Sequence, residues 1–416
     1  MIIIRVQRIE YMECIPKCPI CNNMDLMRIF SKESLPKYNL ERHFDRDSAL
    51  GVQKGRIEFY LCQKCLFVFN AAFGETGMDY AVDYENSRSN SKYFQEYLIQ
   101  TCKTLDEVFS VRNKTVVEIG CGDGQFLNEL RRRYNFDGYG YDPSLNTNMI
   151  SRSIGNKYAQ DLHFVQGYYR SGSLDTVPEI IILRHIVEHQ KNPTSFFESI
   201  LSMPEDGRAT NIYIEVPAWE WIVDNNWILA FSYEHCSYNS QFSIDTILGL
   251  YGYVAKKILF SFAGEYLQYY GMHQSNQDQE RTNTEKNSSV KQSIIKKSLQ
   301  FTMHVPYVLM NLKKYLEDFS DNAVLWGASG KGTTLLNILN IDYNQLAYVV
   351  DSNPKRHNTY IPGTGQLVVA PDFLREMRPK YIFLTNSNYK NEIKEELDRL
   401  GLHPEFVLID QIIKKI

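Results

Sequence analysis

The 416-residue sequence has no uninterrupted apolar run of about 18 residues, so no segment reads as a helix able to span a bilayer. The opening Met1-Ile2-Ile3-Ile4-Arg5 is far too short an apolar stretch for a signal peptide, and the expected location is cytoplasmic. A charge excess is missing too. The 45 Lys and Arg stand against 49 Asp and Glu, a net charge of −4, so no polybasic surface is available for nucleic acid or an anionic membrane. A disulfide framework is missing as well: the eight cysteines include pairs at C-x-x-C spacing, which point to metal or redox chemistry instead. There is no short internal repeat, and nothing in the sequence fixes the oligomeric state.

The length exceeds one ordinary core and implies several domains. Residues 1–72 hold both C-x-x-C pairs and read as a zinc-binding module. Residues 73–273 read as an α/β domain, with strand-like runs at Thr115–Ile119, Gly138–Tyr141, His163–Gln166, Ile180–Leu183 and Ile212–Val216. Tyr253–Phe260 and Tyr266–Gly271, separated by five residues, read as a terminal hairpin. Residues 274–318 begin as a polar, linker-like stretch over Gln274–Gln292 and continue with helical spacing of apolar residues from Ser293. Residues 319–416 read as a second Rossmann-like unit, with runs at Ala323–Trp326, Leu346–Val350 and Tyr381–Leu384.

Cys18/Cys21 and Cys62/Cys65 bring four thiolates to one tetrahedral zinc. Four protein ligands leave no open position, so the metal is expected to be structural. Cys14 and His43 are competing candidates for ligands, and four unliganded cysteines or a redox dithiol is the alternative.

The most informative stretch is Val116-Val117-Glu118-Ile119-Gly120-Cys121-Gly122-Asp123-Gly124, an apolar strand running into a glycine-rich turn and a helix over Gln125–Tyr134. Glycines at 120, 122 and 124 admit a ligand where a Cβ would block it. The spacing is not the G-x-G-x-x-G of a dinucleotide site, and the acid before it suits a zwitterionic amino acid better than a diphosphate. Asp142, after the next strand, can accept both ribose hydroxyls of an adenosine. Together with the terminal hairpin these features point to S-adenosylmethionine, with Glu118, Gly120, Gly122 and Asp142 as binding residues. His185 stands at the carboxyl end of its strand, as a cofactor contact or a structural residue. Glu188 and His189 read as the start of a helix.

The assembled motifs resemble those of the sugar C-methyltransferases that act on nucleotide-linked 4-keto sugars. The resemblance runs through the four cysteines, Glu118–Gly124, Arg184-His185-Ile186-Val187-Glu188-His189 and Glu234-His235 with Ser237-Tyr238. It continues through Gly327-Ala328-Ser329-Gly330-Lys331-Gly332, Thr334–Asn337, Asp351–Lys355 and Ile361–Thr364. It implies a class I methyltransferase sheet flanked by a zinc-binding module and a second Rossmann-like domain. It also implies an acid–histidine pair at Glu234-His235, a tyrosine near cofactor and sugar at Tyr84, and a nucleotide-sugar site around Gly327–Lys331 and Asn353. Where the family carries Tyr two residues before the Glu, this chain has Ser232, with Tyr233 adjacent. Gly330-Lys331 is not a Walker A loop, because the glycine required five positions earlier is Leu325.

Methylating carbon requires an enolate, and the expected base is His235, neutral near pH 7. Glu234 orients the pocket or contacts the sugar, Tyr233 or Tyr238 is a candidate donor to the enolate oxygen, and the face of Tyr84 can attract a sulfonium. A sugar O-methyltransferase and, from another class, a non-catalytic cofactor-binding scaffold are the competing readings.

Overall fold

The computed structural model describes residues 16–74, 91–145, 162–201, 210–274, 284–319 and 322–415, with only the backbone of 284–287. In the amino-terminal module, β1 (Leu26–Pro36), β2 (Lys54–Cys62) and β3 (Val68–Asn70) form an antiparallel sheet. Its pattern is strict: Ile57, Phe59 and Leu61 are wholly buried and alternate with Arg56, Glu58 and Tyr60. This sheet was not foreseen from the sequence, where the cysteines alone defined the module.

The central domain contains β4 (Thr115–Ile119), β5 (Asp137–Asp142), β6 (Leu162–Gln166), β7 (Ile180–Arg184) and β8 (Asn211–Pro217). After β8 the chain leaves this sheet, and β9 (Ser237–Tyr238) pairs with β3 of the amino-terminal module. It then returns as the hairpin β10 (Tyr253–Ser261) and β11 (Tyr266–His273). The order is β10-β11-β8-β7-β4-β5-β6, parallel except for the antiparallel hairpin. That is the class I methyltransferase sheet, with the hairpin inserted beside the last parallel strand. Val116 and Val117 are both buried because helices cover both faces of a parallel sheet. One covering helix, Lys92–Phe109, starts where Ser91 Oγ accepts the Phe94 amide at 3.2 Å and buries Phe94, Leu98, Leu105 and Val108.

A helix at Thr284–Phe319 spans about 54 Å and starts inside the stretch read as a linker. Its composition is polar there, and residues 288–292 lie at the surface, where a helix needs no apolar residue. Farther along it buries Ile294, Phe301, Val305, Val308, Leu312 and Leu316 in one core shared with the amino-terminal module and the carboxyl-terminal unit. Trp219 Nε1 donates to Ser298 Oγ at 3.0 Å and fastens the central domain to the same helix.

The carboxyl-terminal unit comprises β12 (Ala323–Trp326), β13 (Tyr348–Val350), β14 (Leu367–Val369), β15 (Tyr381–Leu384) and β16 (Glu405–Leu408). They form an all-parallel sheet in the order β14-β13-β12-β15-β16. β14 and β16, at the two edges of this sheet, were not foreseen from the sequence. Among the described residues, no helix is long and apolar enough to cross a membrane.

Candidate functional site

The four cysteines converge. Sγ of Cys18 lies 3.5 Å from that of Cys65, and Sγ of Cys21 lies 3.5 Å from that of Cys62. A tetrahedral zinc with bonds of about 2.3 Å separates its sulfurs by roughly 3.8 Å, so the cluster fits one ion. Each knuckle closes the same way: Asn22 and Leu66, the residues after the second cysteines, have φ of 56° and 59°. Asn23 Nδ2 donates to Cys62 Sγ at 3.6 Å, as an outer-shell partner. His43 is not part of the cluster; it pairs with Glu41 and bridges to Tyr360. Cys14 lies outside the described residues.

At the carboxyl end of β4, Gly120, Gly122 and Gly124 all have positive φ. A Cβ on Gly120 would strike Ile186 at 2.0 Å, whereas one on Gly122 would enter open space. Gly120 is thus required by packing, and Gly122 leaves its backbone clear to a ligand. Asp142 Oδ2 accepts the Gly122 amide at 2.9 Å, and Oδ1 accepts the Ser144 amide at 2.8 Å and its hydroxyl at 2.6 Å. Glu118 is buried beneath the turn, and its Oε2 has no hydrogen-bond partner. Burial, reinforced by nearby Asp123, Asp142 and Glu215 and opposed by Arg184, raises its carboxyl to about 8. An orphaned buried carboxylate beside an open backbone cradle is the environment a positively charged amino-acid ligand fits.

Arg184, His185 and Glu215 form a buried network below. Arg184 donates to Glu215 Oε1 at 2.9 Å, and Tyr213 donates to Glu215 Oε2 at 2.6 Å. Burial alone would raise the Glu215 carboxyl, but Arg184 and His185 outweigh it and hold it well below the usual range. His185, at φ 55°, sets Nδ1 3.2 Å from Glu188 and Nε2 3.2 Å from Glu215. Burial works against its charge, yet these two carboxylates prevail and its pKa is raised. It also lines the large cavity, so its structural and ligand-facing readings both have a geometric footing.

That cavity, of about 440 Å³, lies between the central domain and the carboxyl-terminal unit. Its wall on the central side includes Glu188, His189, Ser232, Glu234 and His235. Opposite stand Gly327, Ser329, Lys331, Asp351, Asn353 and Arg356. Glu234 and His235 precede β9, which is fixed by pairing Phe69 with Ser237 and Val68 with Tyr238, while the Asn70 amide donates to Cys236 at 2.8 Å. The amino-terminal module that bears the four cysteines therefore positions Glu234 and His235.

Two expected hydroxyl donors are not in the cavity. Tyr233 turns into the amino-terminal module, where its hydroxyl meets the Gly74 amide at 3.1 Å and carbonyl at 3.2 Å. Tyr238 is wholly buried and donates to the Ala230 carbonyl at 2.6 Å. Tyr233 is drawn there by its hydroxyl's bonds to Gly74, and Tyr238 by the pairing of β9 with β3. Ser232 faces the cavity instead. Glu188 and His189, read as ordinary helix-start residues although they lie in a motif that carries the family resemblance, do line it. Tyr84 lies outside the described residues.

Two family models divide the chain. Residues 92–257 match a methyltransferase domain, and residues 263–405 match a C-methyltransferase C-terminal domain. No curated protein sequence matches significantly. Among solved structures, the magnesium protoporphyrin IX methyltransferase of Synechocystis PCC 6803 with bound SAH is 14% identical, covering 46% of this chain and 91% of its own, with a TM-score of 0.36. The pyocyanin biosynthetic protein PhzM is 10% identical over 43% and 55%, at 0.33. The plantazolicin methyltransferase BpumL is 14% identical over 45% and 87%, at 0.34. Overlays this weak add nothing to the assignment. The matched models, which follow one another across the central sheet and the carboxyl-terminal unit, carry it: the chain belongs to the S-adenosylmethionine-dependent C-methyltransferases.

Proposed function

We propose that the protein methylates a carbon beside the ketone of a nucleotide-linked keto-sugar, with one structural zinc on Cys18, Cys21, Cys62 and Cys65. The observation that carries the substrate is the carboxyl-terminal unit's repetition of the cofactor turn. Asp351, at the end of β13, accepts the Ala328 amide at 2.8 Å and the Asn353 amide at 2.8 Å. Asp142 makes the same pair of contacts with Gly122 and Ser144. Asp351 is thereby suited to a second ribose, and the amino terminus of the helix Gly330–Leu339, with Lys331 and Arg356 in the cavity wall, to the diphosphate. A sugar joined to that diphosphate lies across the cavity from Glu234 and His235.

S-adenosylmethionine, when bound, supplies an electrophilic methyl group. Glu118, Gly120, Gly122 and Asp142 hold it, with His185 in the adjoining wall. His235 takes the α-proton into its imidazole, leaving the electron pair in the enolate, and later returns that proton to solvent; the bound cofactor would supply the methyl to the enolate carbon, the methyl–sulfur electron pair staying on the sulfur of the departing S-adenosylhomocysteine. Glu234 borders the sugar. General base action contributes roughly 10²–10⁴-fold.

Incubating a 4-keto nucleotide sugar with the enzyme and S-adenosylhomocysteine in deuterated water tests this. The expected result is deuterium at the α-carbon. A methylated hydroxyl with no labelling overturns the carbon route in favour of oxygen.

A further inference from the structure

Glu188, His189 and His235 stand together in the cavity wall, each offering one ligand atom within 4.8 Å of the others. They come from two segments laced together: the Ser237 hydroxyl reaches the Val187 and Glu188 carbonyls, both at 3.4 Å. The outer shell is already in place. His189 Nδ1 lies 3.0 Å from the Glu234 carbonyl, which can only accept, so Nδ1 carries the proton and Nε2 the lone pair. Glu188 is wholly buried; one oxygen is held by His185, and Oε2 has no hydrogen-bond partner. A buried carboxylate oxygen without a partner is costly, and a cation is a partner that would offset the cost.

We infer that Glu188, His189 and His235 form a second divalent-metal site, separate from the four cysteines, and that a cation there inhibits the enzyme by occupying the lone pair His235 needs as a base. Two imidazoles and one carboxylate select zinc-like transition ions over magnesium or calcium, which prefer all-oxygen shells. Bonds of about 2.0–2.1 Å set the ligand atoms roughly 3.4 Å apart, so the side chains draw inward on binding. The rings of His189 and His235, 5.0 Å apart and nearly perpendicular, can do so by rotation of their side chains. All three residues line the cavity.

The inhibitory half rests on the proposed base role of His235; the binding half does not. Cobalt(II) chloride titrated into the full-length, zinc-loaded protein distinguishes them. The expected result is one cobalt per chain giving d–d bands without the thiolate charge-transfer band of a cysteine site, with methylation falling in parallel with occupancy. H189N and H235N, on different segments, should each weaken cobalt binding at least tenfold while retaining the cysteine-bound zinc. Absence of the bands, affinity unchanged in both variants, or full methylation by the cobalt-bound enzyme overturns the inference. If the bands appear but no keto-sugar is methylated even before cobalt is added, the metal site stands and the reading of function falls.

Discussion

The Lys331 ammonium, at the start of the helix behind the second glycine turn, pairs with the Glu265 carboxylate on the hairpin of the methyltransferase sheet. Asn386, just after β15 and beside β12 in the carboxyl-terminal sheet, donates to the other Glu265 oxygen at 3.1 Å. Phe262, Ala263 and Gly264 all have positive φ, which turns the hairpin tightly enough to present Glu265 across the cavity. One carboxylate thus clasps the two domains at the mouth of the proposed substrate site. Breaking a partly buried pair of this kind should cost about 1–3 kcal/mol, between the exposed and fully buried cases. Lys331→Met and Glu265→Gln should therefore raise KM for the sugar substrate while calorimetric affinity for S-adenosylmethionine is unchanged. Equal loss of both affinities would place the clasp's role elsewhere.

Metal content is the simplest check on the amino-terminal module. After dialysis against a weak chelator the protein should hold one zinc per chain. Cys62→Ser should lose the module, since such sites contribute on the order of 10 kcal/mol to folding. Because β9 pairs with β3, that variant should also lose methyl transfer. Well-folded protein without zinc would contradict this.

Asp142→Ala removes the proposed acceptor for the cofactor ribose and the acceptor of the Gly122 amide. A loss of about 1–3 kcal/mol is expected, or roughly 5- to 150-fold in S-adenosylmethionine affinity by calorimetry. Asp351→Ala should leave that affinity alone and weaken the nucleotide sugar instead.

Glu118 predicts a pH dependence. Its carboxyl is raised from 4.5 to about 8 by burial, so the folded protein without cofactor holds this proton longer than the unfolded chain does. Stability from this group is accordingly lost as pH rises between those values. A cationic ligand favours the ionised carboxylate, so cofactor binding below pH 8 should release a proton. Affinity should climb up to about pH 8 and level off beyond it, and Glu118→Gln should flatten the profile. Calorimetry in buffers of different ionisation enthalpy counts the proton; a wild-type profile as flat as the variant's would show that Glu118 does not sense the ligand.

His235→Asn keeps much of the side chain's shape but loses its basicity. Deuterium exchange and methylation should fall together by about 10²-fold or more, with cofactor affinity preserved. Methylation lost with exchange intact would move the base to another residue.

Much of this protein was legible in the residues themselves, because the features concerned are local. The C-x-x-C pairs, the glycine turn after Val116-Val117 and the acids at 118 and 142 depend on spacing within a few positions, and the apolar runs marked β4 to β8 to within a residue or two. The sequence could not say which way Tyr233 and Ser232 face. That is decided by the chain's excursion to pair β9 with β3, a contact between segments far apart in sequence. Nor could it distinguish Glu188 and His189 from ordinary helix-start residues. Their chemistry arises because the turn after β7 packs against the segment bearing His235, and because a wholly buried carboxylate must find a partner. The cavity itself belongs to no single motif. One wall holds the second glycine turn and the other the Glu188–His189 and Glu234–His235 segments, and only the packing of the two domains, with Glu265 and Lys331 paired between them, turned them to face each other.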